Sequence, residues 1–395
     1  GLMQETKVCW DPEGVFNARK IVNTPPMDTS LRYEVGDSDV ACRTYFDFSK
    51  EKGWLCAIEQ CNGSGDCRKS YAFGGTMCPS FRATREESHT TRARANTLRE
   101  LITHPRTKKI YDQREILEVL DTCVSCKACK SECPSNVDIA RFKAEFLQQH
   151  YDVCGVPMKA FLIARLTEIQ RLGTILPWFY NAIVRNRMTG NMLKRILHFA
   201  PKRTIPTLYK TTLKHWLGRY RRKNRGETVG KVFLFADEFT NYMDVEIGIK
   251  MIELLDWLGY EVIIPKHVES GRTAISKGML EVAKGVARKN VLLLKDLVTE
   301  NIPLVGIEPS CILSFRDEYP DLVGEDLKEE AVRLGKNCLL YDEFFTREIR
   351  AGRIQAEQFT DQPLKIMLHG HCHQKSLASV EPSREMLSLP VNYSV

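Results

Sequence analysis

The thiols Cys123, Cys126, Cys129 and Cys133 follow the pattern C-x2-C-x2-C-x3-C, and Pro134 comes next. Two-residue spacers let one loop wrap several thiolates round an iron–sulfur cube, with backbone N–H groups turned toward the sulfurs. Bacterial ferredoxins use this run. Zinc is usually served by two C-x-x-C hairpins set apart, so that a tetrahedron closes from two directions. Four ligands packed this closely favour [4Fe–4S]. A second set lies upstream: Cys61, Ser64 and Cys67 repeat the C-x2-C-x2-C frame with serine in the middle, and Cys78-Pro79 repeats Cys133-Pro134.

Two assignments are open. In two-cluster ferredoxins the fourth cysteine of each run binds the other cluster. On that scheme Cys123, Cys126, Cys129 and Cys78 hold a complete [4Fe–4S] cube, while Cys61, Cys67 and Cys133 hold a second cluster one thiolate short. That cluster is then [3Fe–4S], or [4Fe–4S] with Ser64, Asp66 or water as the fourth ligand. On the local scheme Cys123, Cys126, Cys129 and Cys133 hold one cube, and the upstream cysteines are buried structural thiols. No dehydratase site around an open iron is visible, so electron transfer is the chemistry to expect.

The elements that must position these thiols fall into four regions. The chain has 395 residues, enough for two or three domains. Residues 1–50 have little periodicity, with turn signals at DPEG (11–14) and TPPMD (24–28). Residues 51–154 carry the cysteines among short helices: 86–102, 114–123 and 137–152, the last with Asn136 as its N-cap. Residues 155–226 form a basic segment that Pro157, Pro177, Pro201 and Pro206 divide into several short helices. Residues 227–395 alternate strands (231–236, 261–265, 302–309, 338–342, 365–370) with helices (243–260, 277–298, 326–335, 343–352), the pattern of a parallel sheet covered by helices. The expected fold class is α+β, a helical ferredoxin-like [4Fe–4S] domain followed by an α/β domain with a mostly parallel sheet. No G-x-G-x-x-G loop follows the first strand, so a nucleotide is not the obvious ligand.

Composition narrows the class. No run approaches the roughly 20 apolar residues of a membrane span. Seven of the fourteen cysteines sit in the two sets of a large chain, which points to metal ligation in a reducing compartment and a cytoplasmic setting. Residues 155–226 hold sixteen Lys and Arg against one acid, Glu168, so this segment carries more than the chain's whole net charge of +7. With Trp178, Phe179, Tyr180 and Trp216 interspersed, it suits contact with a membrane surface or, as a solvated linker, packing on an acidic partner domain. Nothing in it reads bases, so nucleic acid is not an expected partner.

The stretches CNGSGDCR (61–68), MCPSFRATREE (77–87), TRARANTLRE (91–100) and PPMDTSLRYE (25–34) resemble the bacterial FAD- and iron–sulfur-containing D-2-hydroxyacid dehydrogenases, in particular the D-2-hydroxyglutarate type. KVCWDPEGVFNARKIV (7–22) resembles the tail of a FAD-linked oxidase C-terminal domain, with Ala18 and Arg19 where Pro and Gly are usual. GIEPSCILSFRDEY (306–319) and HGHCHQKSL (369–377) resemble motifs of cysteine-rich domains found in related iron–sulfur subunits. The paired-cysteine segment that follows HGHCHQK in the family is not in this chain, and Ser270-Gly271-Arg272-Thr273 replaces the usual C-G-R-P.

The resemblance implies an oxidoreductase in which substrate reduces FAD, and FAD passes single electrons through the clusters to a quinone or carrier protein. FAD belongs to an upstream domain of the same polypeptide, so this chain by itself is not expected to oxidise substrate. It also implies a place at the inner face of the membrane. The rival readings are a non-catalytic iron–sulfur electron-transfer subunit and a redox-sensing scaffold. Two further groups invite a site reading: a metal on His369, His371, Cys372 and His373 with Cys311, and a ligand or capping role for Glu308, Cys311, Arg316 and Asp317 after a strand end.

Overall fold

The structure, a computed structural model, describes residues 1–29, 43–105, 110–224 and 226–395. The match at 25–34 falls partly outside them. Two compact units divide the chain, Gly1–Ala41 and Cys42–Val395. In the first, the helix Leu2–Trp10 ends on Asp11, whose carboxylate pairs with Lys7 and accepts from the backbone N–H groups of Val15 (2.8 Å) and Phe16 (2.9 Å).

The second unit opens with the helical region that bears the cysteines. Its helices Trp54–Glu59, Thr91–Thr103, Arg114–Asp121 and Ile139–Cys154 bury Trp54, Ile58, Leu98, Ile102, Ile116, Leu120, Phe142 and Phe146. Each such fully buried side chain contributes roughly 1.5–3 kcal/mol. Thr90 caps the second of these helices by accepting from Ala93 N at 2.9 Å. The last is capped by Asp138 (Arg141 N, 3.1 Å) and not by Asn136. Asn136 takes a left-handed backbone (φ 50°), so the helix starts two residues later than its sequence suggests.

The basic segment forms short helices, among them Met158–Ala164, Leu166–Gly173, Pro177–Arg185, Arg187–Ile196 and Leu213–Arg219. The α/β region follows. Strands β1 (Gly230–Phe235), β2 (Tyr260–Ile263), β3 (Leu304–Gly306) and β4 (Cys338–Leu340) form one sheet in the order β2-β1-β3-β4, all parallel. β1 is central, and its inner residues are apolar on both faces. Val232 packs with Leu255, Tyr260, Val305 and Phe344, and Phe235 packs on Phe315 (5.1 Å between ring centres) and His267 (4.5 Å). Burial on both faces is why these strands read as unbroken apolar runs. The fold class expected from the sequence is the one observed.

One strand differs. Residues 365–370 do not join the sheet: only Leu364–Lys365 is extended, paired with Tyr393–Ser394. Met367 is 88% exposed, so the apolar side chains that suggested a strand have no core to enter.

Candidate functional site

Cys78, Cys123, Cys126 and Cys129 line one small cavity, together with Ser80, Arg94, Lys127 and Ile139. Local backbone shapes that wall. Ser125 (φ 53°) and Lys127 (φ 61°) are left-handed residues set among the cysteines, and such alternation turns successive N–H groups into an anion-binding concavity. Cys78 arrives from a distant part of the sequence because Glu132 holds its loop: the carboxylate accepts from Thr76 N (2.7 Å) and Met77 N (2.9 Å). Gly75 (φ +67°) lies so close that a Cβ there would stand 2.5 Å from Glu132 Oε2. Arg82 ties the same loop by donating to the carbonyls of Gly74 (2.6 Å) and Gly75 (2.7 Å).

Arg94 is one of two cations at this cavity, with Lys127. It is 2% exposed; Nη1 donates to Cys78 Sγ (3.5 Å) and Nη2 to Ser80 Oγ (2.9 Å) and Thr122 Oγ1 (2.7 Å). Burial pushes the Cys126 thiol up to about 11, with the neighbouring thiols Cys123, Cys372 and Cys78 adding to it. Burial, then the Asp138 charge, raises Cys129 well above the usual range. Thiols this desolvated do not ionise alone; a cationic iron core supplies the charge that thiolates there require, so the donor set fits an iron–sulfur cluster.

The remaining predicted ligands lie elsewhere. Cys67 is buried with its thiol raised by burial, and its electrostatic neighbours include Cys78 and Cys61. Cys133 is half-buried at the end of the helix Ala128–Glu132 and does not line the cavity. Ser64 is exposed, with its N–H donating to Asn62 Oδ1 at 3.0 Å. Asp66 pairs with Lys69 at 2.5 Å.

The α/β region reaches the cysteine loop through charge. Lys127 is 3% exposed, lies 2.8 Å from Glu318 and also pairs with Asp317. Lys130 pairs with Asp317 too, and Arg272 with Glu318 at 2.5 Å. Burial would lower the Lys127 ammonium, but Asp317, Glu318 and Asp138 outweigh it and hold it well above the usual range. Asp317 is correspondingly depressed: burial opposes, and Lys127 and Lys130 prevail. A second contact comes from the helix Cys372–Leu377, where Ser376 Oγ donates to Cys126 O at 3.0 Å.

The groups after the third strand have structural partners. Glu308 caps its helix through Ser310 N (3.1 Å) and Ser310 Oγ (2.6 Å), and Arg316 binds Glu343 (2.9 Å) and Cys338 O (2.7 Å). Glu308 thus caps and Arg316 and Asp317 form ion pairs, while Glu308 also lines a cavity.

The expected histidine convergence along a strand is replaced by a loop and helix start. His371 Nδ1 caps the helix by accepting from His373 N (3.2 Å), and the ligand atoms of His371, Cys372 and His373 lie within 4.8 Å of one another. Burial, then Arg272, lowers the His373 imidazole to about 3. Cys311 is not in this group; it is fully buried, with Ser270 as its hydrogen-bond partner. His369 and His371 instead line a cavity of about 710 Å³ with Met251, Leu254, Phe345 and Tyr393.

The sequence reading missed Arg94, Glu132, Lys127 and Ser376. Arg94 lies within TRARANTLRE, but nothing local marks which arginine turns inward.

Residues 60–138 match the 4Fe-4S dicluster domain family. The chain is 24% identical over 382 residues to D-2-hydroxyglutarate dehydrogenase of Escherichia coli (strain K12), covering 85% of this chain and 37% of that protein. It is 24% identical over 256 residues to one subunit of the anaerobic glycerol-3-phosphate dehydrogenase of the same organism, covering 64% of this chain and 63% of that subunit. A shorter match, 28% over 153 residues, is to a lactate utilization protein of Bacillus subtilis (strain 168), covering 38% of this chain and 60% of that protein. No solved structure matches. The chain spans little more than a third of the length of the D-2-hydroxyglutarate dehydrogenases it resembles. The chain is thus similar to the 4Fe-4S dicluster domain family over residues 60–138 and, over most of its own length, to D-2-hydroxyglutarate dehydrogenases.

Proposed function

We propose that this chain is the electron-transfer part of a flavin- and iron–sulfur-dependent D-2-hydroxyacid dehydrogenase. In this reading Cys123, Cys126, Cys129 and Cys78 hold one [4Fe–4S] cluster, and Cys61, Cys67 and Cys133 hold a second. A bound cluster takes up and releases one electron at a time, which lets a two-electron hydride donor feed single-electron acceptors. FAD is bound by another domain of the same polypeptide, and the acceptor is a quinone or a carrier protein.

The observation that carries the reading is the single cavity shared by Cys78 and the three cysteines of the 123–129 loop, with Cys133 outside it. The protein's own residues complete the setting. Arg94 holds positive charge at Cys78 and so favours the reduced, more negative state there. Lys127, Asp317 and Glu318 clamp the loop, which limits rearrangement when an electron arrives. Support for a lipophilic acceptor comes from the apolar cavity lined by His369 and His371, beside the helix whose Ser376 touches the cysteine loop. The likeness to a separately named subunit of another dehydrogenase supports a module that can serve different catalytic parts.

The test is iron and sulfide analysis with EPR, followed by reduction through a reconstituted flavin domain and a D-2-hydroxyacid. Two spectroscopically distinct clusters, both reduced when substrate is added, are expected. Clusters that dithionite reduces but the flavin domain does not would overturn the relay.

A further inference from the structure

The cysteine loops and the sheet leave one face of the basic segment without a role. The helices Pro177–Arg185 and Arg187–Ile196 form a hairpin turned at Asn186, whose side chain accepts from Met188 N (2.9 Å) and Thr189 N (3.2 Å). Thr189 Oγ1 donates back to Ile183 O at 2.6 Å. Gly190 lets the second helix approach the first so closely that a Cβ there would stand 2.7 Å from the Val184 carbonyl. The hairpin is anchored to the rest of its unit by Asn181, which exchanges two hydrogen bonds of 2.8 Å with the Leu208 backbone. Its crossing and its attachment are therefore fixed.

It leaves large apolar side chains uncovered. Met188, Met192 and Ile196 recur every four residues, so they form one stripe along the second helix; they are 82%, 60% and 61% exposed. Trp178 and Phe179, at the start of the first helix, are 69% and 53% exposed. Soluble surfaces seldom leave so many large apolar groups together without a partner. The charge around them has one sign: from Ile169 to Gly226 there is no Asp or Glu, against fourteen Lys and Arg. Arg185, Arg187 and Arg195 are exposed on the hairpin itself.

A partner for this face must offer apolar depth and negative charge over a broad area. The surface of an anionic bilayer offers both, and amphipathic helices with basic flanks and aromatic groups bind there in the plane of the interface. Among the described residues no helix is long and apolar enough to cross a membrane, so attachment by this hairpin is to the surface. We propose that the Pro177–Ile196 hairpin docks the protein on bilayers rich in anionic phospholipid, with Trp178, Phe179, Met188, Met192 and Ile196 entering the acyl boundary and Arg185, Arg187 and Arg195 meeting lipid phosphates. The inference goes beyond the relay and uses none of its cysteines. Its consequence for the relay is placement, since a lipophilic acceptor is dissolved in that same bilayer.

The test is flotation of the cluster-loaded protein with vesicles of phosphatidylcholine alone, or with about a third of the lipid replaced by phosphatidylglycerol. Binding to the anionic vesicles is expected to be at least about tenfold tighter, and Arg185→Glu with Arg187→Glu to weaken it by roughly fivefold or more per residue. Met188→Ser, Met192→Ser and Ile196→Ser together are expected to weaken it at least about tenfold, with iron content and melting temperature unchanged because all three side chains are exposed. Brominated lipid should quench tryptophan fluorescence in the wild type and quench it less in Trp178→Phe. Equal binding by the wild type and the triple variant, or no binding by the wild type, overturns the proposal. So does a hairpin variant that binds vesicles normally but loses a protein partner.

Discussion

The ammonium of Lys127, the residue after Cys126, lies 2.8 Å from the Glu318 carboxylate of the α/β region and is almost wholly buried. Asp317 faces Lys127 and Lys130, and Arg272 faces Glu318. A buried pair of this kind adds little net stability when intact, but removing one partner strands the other in a medium that cannot solvate it. Lys127→Met is therefore expected to cost about 3–5 kcal/mol in chemical denaturation. Combined Lys127→Met and Asp317→Asn should cost less than Lys127→Met alone. A single variant within about 0.5 kcal/mol of wild type would contradict this.

Arg94 donates to Cys78 Sγ at 3.5 Å and is buried at the cavity of the proposed complete cluster. Replacing it with leucine removes positive charge that favours the reduced state, so the midpoint potential of that cluster should fall. An interaction of about 1.4 kcal/mol corresponds to about 59 mV in a one-electron couple, and a downward shift of that order is expected in a redox titration followed by EPR. Arg94→Lys should recover part of it. An unchanged or raised potential would show that Arg94 is only a structural anchor for Ser80 and Thr122.

Asp237 follows the central strand and is fully buried. Burial, then the neighbouring Glu238 charge, raises its carboxyl to about 7, despite donors from Phe239 N (2.8 Å), Thr240 N (2.9 Å) and Thr240 Oγ1 (2.8 Å). The folded state therefore binds this proton more tightly than the unfolded chain does. Stability from this group is present below about pH 4 and is lost as pH rises toward about 7. Asp237→Asn keeps the acceptor for the two backbone donors and removes the titration. Its melting temperature should depend less on pH between 5 and 8 than that of the wild type, with the gain at the alkaline end. Parallel curves for the two proteins would sink this account.

Gly278 has φ +70°, and a Cβ there would stand 2.2 Å from Leu147 Cβ on the helix Ile139–Cys154. That helix bears Gln148, which accepts from Glu281 N at 3.1 Å. The turn thus seats the α/β region on the helix that follows the cysteines. Gly278→Val should destabilise the protein by about 1–3 kcal/mol through overpacking and backbone strain, while Gly285→Ala, where the added Cβ meets nothing, should not destabilise it. Hydrogen exchange after Gly278→Val should rise on both sides of this contact; a rise confined to residues 271–285 would contradict it.

Much of the architecture was legible in the sequence. The parallel sheet could be read because strands such as β1 (Gly230–Phe235) hold short buried apolar runs separated by helical periodicity. The prolines of the basic segment likewise foretold several short helices. The site was legible only as far as its cysteines. Whether Cys78 or Cys133 joins Cys126 depends on Glu132 gripping the backbone at Thr76 and Met77, more than fifty residues away in sequence. Nothing in the sequence around Lys127 marks it as buried, and only the fold brings Asp317 to it from 190 positions on. Asn136 and Asp138 are both good caps by residue type, and backbone conformation chose between them. The histidines of HGHCHQK alternate as a strand would. From Cys372 their segment turns into a helix, however, and the strand does not form.

The central claim is that Cys78, and not Cys133, completes the ligand set of Cys123, Cys126 and Cys129. The most direct measurement is EPR with iron and sulfide analysis of Cys78→Ser and Cys133→Ser, each purified anaerobically beside the wild type. Cys78→Ser should lose or alter the signal of the complete [4Fe–4S] cluster, while Cys133→Ser should keep that signal and disturb only the second cluster. If Cys133→Ser destroys the complete cluster and Cys78→Ser leaves it intact, the four cysteines of the 123–133 run hold one local cube and the cross-ligated arrangement is wrong.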